Sequence, residues 1–232
     1  MKIALAKPVL RTILLIVTLL PNFYCYGEGL SFDDEDTALE SDLETDKFFY
    51  NEDAFSDRGY SNTRPFFTLE ALLGGDTLKR IKFENGDTDS IRAGSGVYIA
   101  FGVAHLMFDK QMDIGIKAGY LFDIITAKAD DGSESVMSFT RKPIAAFSHY
   151  WVGRHCFGGG LTAHLDPIFT SRETADNAEY HNAYGAYAEY LFHFTGTGSA
   201  LGIKYLNIDY KNKKTNKVTD GSAWGITFSQ LF

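Results

Sequence analysis

From Gln111 the chain alternates, with Gln111, Asp113, Gly115, Lys117 and Gly119 interleaved among Met112, Ile114, Ile116, Ala118 and Tyr120. A period of two with unlike faces describes a strand. The preceding stretch behaves the same way: Val97, Ile99, Phe101 and Val103 interleave with Gly96, Tyr98, Ala100 and Gly102. Carried along the chain, this reading predicts eight strands, near residues 65–74, 92–106, 111–124, 138–150, 155–165, 180–194, 199–210 and 221–232. The number is even, and most segments reach or exceed the roughly 9–11 residues that a tilted strand needs to cross a bilayer.

The connections alternate in length: short at 107–110, 151–154 and 195–198, long at 75–91, 125–137, 166–179 and 211–220. The long ones contain turn dipeptides of their own, Asn85-Gly86, Asp131-Gly132 and Asp220-Gly221. A soluble sandwich shares the strand periodicity. Short turns at one rim and long loops at the other are the mark of a membrane barrel. The expected fold is therefore all-β: an eight-stranded antiparallel up-and-down transmembrane β-barrel.

The first residues change the picture of where it resides. Lys2, Lys7 and Arg11 precede an apolar run from Thr12 to Leu20 that ends at Pro21. This is the layout of a secretory signal peptide and is too short for a spanning helix. Cleavage is expected after Gly27, giving a signal peptide over 1–27. Cys25 then leaves with it, and Cys156 alone can form neither an internal disulfide nor a cysteine-based metal site. Residues 28–59 hold twelve acidic side chains against Lys47 and Arg58, whereas from residue 60 onward there are eighteen acidic and seventeen basic ones. The net charge of −8 resides almost wholly in this acidic block. Such composition reads as a disordered periplasmic linker over 28–60, leaving 61–232 for the barrel. The tract lacks the spaced ligand loop of an EF-hand. The whole chain is 45% hydrophobic and 15% aromatic with 22 glycines, which suits strands.

The last strand shows Trp224, Ile226 and Phe228 at period two, with Phe232 after them. This resembles the signal by which the barrel-assembly machinery recognises its clients, although Gln230 departs from the usual apolar residue. Three further pieces carry a family resemblance: Gly74-Gly75-Asp76-Thr77-Leu78, Gly158-Gly159-Gly160-Leu161-Thr162-Ala163-His164-Leu165-Asp166-Pro167, and Tyr205-Leu206-Asn207-Ile208-Asp209-Tyr210. Over residues 65–232 the chain resembles small bacterial outer-membrane β-barrel proteins of the OmpX and OmpW size class. The resemblance implies a fold and a Gram-negative outer-membrane location, and no activity. The acidic extension is not part of it.

Turning the less apolar faces inward predicts a lumen network of Glu70, Asp113, Lys117, Arg141, Thr162, His164, Glu189 and Lys204, three acids facing three bases. A barrel of eight strands is only wide enough for side chains to fill it, and charges persist in such a core when paired. A narrow conduit or ligand pocket lined by Glu189, Lys204 and His164 is the alternative. Catalytic pairing is disfavoured: Ser148 and His149 are adjacent and so point to opposite faces, while His164 and Asp166, two apart, share a face with no positioned serine. A lipopolysaccharide-modifying enzyme is the least favoured class. Metal binding by His149, His155, Cys156 and His164 would need three strand ends to converge. The triple glycine at 158–160 has no following helix to make a phosphate loop, and is read as permitting tight curvature or close packing in the wall.

No cofactor, catalytic residue, metal or nucleic acid is expected. The expected partners are outer-membrane lipid, lipopolysaccharide and the assembly machinery, around a monomer. In the last long loop Lys211, Lys213, Lys214 and Lys217 face only Asp220 nearby, which makes them candidates to contact lipopolysaccharide phosphates. The expected role is structural or surface interaction through the long loops, with a porin-like conduit as the second class.

Overall fold

The computed structural model describes residues 62–82, 88–108, 111–128, 134–171, 177–194 and 198–232. The segments expected to be signal peptide and acidic linker lie outside them, as do the turns at Asn85-Gly86 and Asp131-Gly132. Twelve strands follow in order: β1 (Thr63–Gly74), β2 (Thr77–Lys82), β3 (Thr88–Arg92), β4 (Gly96–Met107), β5 (Met112–Lys128), β6 (Glu134–Val152), β7 (His155–Ser171), β8 (Ala178–Glu179), β9 (Ala183–His193), β10 (Ser199–Lys211), β11 (Val218–Asp220) and β12 (Ala223–Leu231).

Eight of them, β1, β4, β5, β6, β7, β9, β10 and β12, pair antiparallel each with the next, and β12 pairs back onto β1. The ring is closed, so each wall strand has hydrogen-bonded neighbours on both sides. The protein is an all-β, eight-stranded antiparallel barrel. All eight predicted strands are its wall strands, and the short connections lie at one rim and the long ones at the other. β2, β3, β8 and β11 are additions within the long connections: β2 and β3 form a hairpin of their own, β8 pairs with β7, and β11 with β10.

The differences from the predicted boundaries have local causes. The strand expected from residue 92 begins at Gly96, because Ile91 and Ala93 turn inward and are fully buried in the mouth of the barrel. β5, β6 and β7 run longer than expected, at 17, 19 and 17 residues. β7 passes through Asp166-Pro167 instead of ending there. A bulge absorbs the two residues: the β6–β7 register shifts between Thr140 and Lys142, and Asp166 adopts a positive φ of 45°.

The bulge also reverses the facing of β7. Before it His164 points inward; after it Phe169 and Ser171 do, and Asp166 is turned out to a surface contact with Lys142, Nζ to Oδ2 at 3.1 Å. The expectation that His164 and Asp166 share a face is therefore wrong, because strict alternation does not survive an inserted residue.

Facing along the wall is inverted relative to a water-soluble protein. Phe101, Ile116 and Leu161 stand on the outside at 68, 65 and 71% exposure, while Glu70, Lys117 and Lys204 are inside. The lumen core is not wholly polar. Leu72, Tyr98, Leu121, Phe139, Leu206, Ile208 and Tyr210 fill it toward the long-loop end, and Trp151, Cys156, Leu191 and Ala200 toward the other.

Candidate functional site

All eight residues predicted to face the lumen are buried there, and they divide into two groups. The first is a charged knot in mid-barrel. Glu70 of β1 accepts from Lys117 of β5 at 2.9 Å and from Lys204 of β10 at 3.0 and 2.8 Å. Lys117 also lies 4.0 Å from Glu189. On the far side of Glu189 stands His149 of β6, one ring nitrogen 2.9 Å from Glu189 Oε1 and the other 2.9 Å from Asp113 Oδ1. Trp151 completes the line by donating its indole N–H to Asp113 Oδ2 at 2.7 Å.

Two carboxylates thus bracket one imidazole, Glu189 in hydrogen-bond geometry and Asp113 at ion-pair distance. The knot therefore sets Glu70, Asp113 and Glu189 against Lys117, Lys204 and His149. The count of three acids and three bases is as expected, but His149 takes the place given to Arg141. Aromatic rings wall the ammonium groups: Lys204 Nζ lies 3.9 Å from the Tyr187 ring centroid and 5.8 Å from that of Tyr98.

His149 is the residue that sequence reasoning missed. The signal was present, since Arg141, placed inward, shares the parity of residue 149 along β6. The triple glycine belongs to the same structure. Gly158 lies opposite His149 in register, and a Cβ there would sit 2.0 Å from the imidazole Cδ2. All three glycines are closely packed, and what packs on Gly158 is the central base of the knot.

Arg141 heads the second group, nearer the long-loop rim. It is fully buried and donates to the backbone carbonyls of Ala93 at 2.6 Å and Ser95 at 2.7 Å, with the Phe139 ring 4.2 Å from its guanidinium carbon. It ties the segment after β3 into the barrel mouth. A backbone junction supports that segment: Asp76 N–H donates to Asp220 at 2.7 Å, and Ala93 N–H to Asp76 at 2.9 Å. Gly75 makes the approach possible, with φ of 75° and space so tight that a Cβ would lie 2.4 Å from Gly94 N. His164 bonds the Tyr210 hydroxyl at 2.6 Å, and Thr162 donates to the Ile144 carbonyl at 3.2 Å.

Between the two groups, a cavity lined by Glu70, Tyr98, Lys117, His164 and Lys204, among others, has a volume of about 10 Å³. That is room for one water molecule.

The other candidate residues fall elsewhere. Trp224 and Ile226 are exposed on the outer wall, Phe228 is half-buried, and Phe232 is exposed at the short-turn rim. His155 is outside, stacked near Tyr190 with a 2.8 Å bond to its hydroxyl, whereas His149, Cys156 and His164 are inside. Among the described residues no group of three His, Cys, Asp or Glu side chains could hold a metal ion. Lys211, Lys213, Lys214 and Lys217 are all exposed at the long-loop end. Lys213 is not free to face Asp220 alone, because Glu179 meets it at 3.1 Å across 34 residues of sequence. The chain matches no family model and no curated protein.

Proposed function

We propose that this chain is a small outer-membrane protein whose barrel crosses the bilayer, is sealed inside, and presents its long loops as a surface for structural or interaction roles. The observation that carries the reading is the inversion of faces: large apolar side chains outside, paired ions inside. In water such a wall would invite aggregation. Against hydrocarbon it is the stable arrangement, because closure satisfies every wall backbone group without solvent.

The lumen favours a structural role over a conduit. Its ions are matched to each other, the space beside them takes one water, and Arg141 holds the Ala93–Ser95 backbone in the mouth. A transported solute would have to displace all three. An enzyme is disfavoured too: Ser148 points out and His149 in, so the adjacent pair cannot act together.

The same reading brings a Gram-negative envelope, export through a cleaved signal peptide over 1–27, delivery by the barrel-assembly machinery through the Trp224–Phe232 strand, and contact with lipopolysaccharide. A closed barrel has no edge to donate to a second copy, which favours a monomer. Fractionation of expressing cells tests the proposal, with migration compared on gels before and after heating. The protein should be recovered with the outer membrane and show a heat-dependent shift in mobility. Recovery in the soluble periplasm would overturn the proposal.

A further inference from the structure

The long-loop end holds a built cleft that the barrel itself does not need. Strand β2, the Asn177–Tyr180 segment and the turn from Asn212 to Thr219 enclose two adjoining hollows of about 610 and 300 Å³, which share Leu78, Tyr180, Asn212 and Thr215. Their size is that of small-ligand sites.

The walls are fixed by backbone. Lys213 N–H donates to the Glu179 carbonyl, His181 N–H to that of Lys211, and Asn212 N–H to that of Lys217, each at 2.9 Å. The Asn212 side-chain oxygen accepts from the N–H groups of Lys214 and Thr215, both at 2.9 Å, and Asn212 forms an antiparallel backbone bridge with Tyr180. Below, Tyr180 rests on the buried ring of Phe139, centroids 5.6 Å apart. The turn is therefore set in place by the same residues that close the barrel mouth.

The chemistry of the lining is mixed in an informative way. Lys213 is engaged by Glu179, and the Asp76 carboxylate accepts the Asp220 N–H at 3.1 Å. Lys214 and Lys217 have no ion-pair partner among the described residues. Lys214 lines the larger hollow and Lys217 the adjoining smaller one, and uncommitted ammonium groups suit an anion. A bare anion, however, would be repelled by the carboxylates of Asp76 and Glu179. Those carboxylates, with the Asn177 amide and the hydroxyls of Thr77 and Thr219, suit a ligand rich in hydroxyl groups, and Leu78 offers an apolar strip for its C–H face.

We propose that this cleft binds a phosphorylated carbohydrate, with Lys214 and Lys217 on the phosphate and the carboxylate, amide and hydroxyl groups on the sugar. The cleft itself is argued from the loop geometry, and the lipid-headgroup arm alone also rests on the outer-membrane reading. The phosphate-bearing sugar could be a lipid headgroup of the outer leaflet or a free sugar phosphate, and the experiment separates the two.

Mature protein, refolded in zwitterionic detergent, is titrated at low ionic strength with glucose 6-phosphate, glucose and inorganic phosphate. Glucose 6-phosphate is expected to saturate a single site, with glucose and inorganic phosphate each about tenfold weaker. The double variant Lys214→Gln/Lys217→Gln should lose about tenfold in that affinity while keeping its heat-modifiable migration, since each ammonium near an anion contributes a few-fold. In a second arm, vesicles containing lipopolysaccharide are used to retain the protein. Retention that needs both lysines and is competed by glucose 6-phosphate assigns the lipid headgroup; binding of the soluble probe without retention assigns a free sugar phosphate. Equal binding by wild type and double variant in both arms would overturn the proposal. So would inorganic phosphate binding as well as glucose 6-phosphate, or no saturable binding in either arm.

Discussion

Glu70 and Lys204, 134 residues apart in the chain, meet inside the barrel with the ammonium nitrogen 2.8 and 3.0 Å from the two carboxylate oxygens. The same carboxylate holds Lys117 at 2.9 Å, so one acid from β1 neutralises ammonium groups from β5 and β10. Removing it strands the buried ammonium of Lys204 and leaves Lys117 only its 4.0 Å contact with Glu189. Glu70→Ala is expected to cost about 3–5 kcal/mol in urea unfolding, the range for breaking a buried pair by deleting one partner. A loss under about 1 kcal/mol, the size for an exposed pair, would mean that water reaches the knot.

Glu189→Ala should cost less than Glu70→Ala. Its two neighbours keep other carboxylates, Lys117 retaining Glu70 and His149 retaining Asp113. Side-by-side unfolding of the two variants checks the order. The reverse order would place the centre of the network at Glu189.

Arg141→Ala should loosen the mouth without opening the wall, because the lost bonds run to the Ala93 and Ser95 carbonyls and not to a strand. Planar-bilayer recordings are expected to be silent for the wild type and to show intermittent small openings for the variant. A steady wild-type conductance would replace the sealed lumen with a pore.

The surface pairs offer a control. Lys142–Asp166 and Lys213–Glu179 both span 3.1 Å, but each side chain is about half exposed or more. Double-mutant cycles should return about 0–1 kcal/mol for each, falling with salt. A coupling as large as that of Glu70 with Lys204 would show that these loops exclude water far better than their exposure implies.

The wall was legible in the sequence because its signals were local. Period-two alternation located all eight strands, and the lengths of the connections ordered the two rims. Parity then placed the ionisable residues inside, Arg141 and Lys204 included. What escaped depends on contacts between distant segments. His149 follows from the parity of Arg141, but its role as bridge requires Asp113 and Glu189 to arrive from two other strands. The bulge at Asp166 breaks a parity that nothing in the alternation announces. The Ala93–Ser95 backbone in the mouth is held by Arg141, 46 residues beyond Ser95. The four loop lysines could be seen, and the partner of Lys213 could not.

The two tryptophans of the chain test the central claim most directly, since the barrel puts Trp224 on the outer wall and Trp151 in the lumen against Asp113. Variants Trp151→Phe and Trp224→Phe, each verified by heat-modifiable migration, isolate one emitter apiece after reconstitution in bilayers with brominated acyl chains. Brominated lipid should quench Trp224 strongly and Trp151 little. Trp224 left bright by brominated lipid but quenched by aqueous acrylamide would contradict that claim, because the apolar wall would then face water.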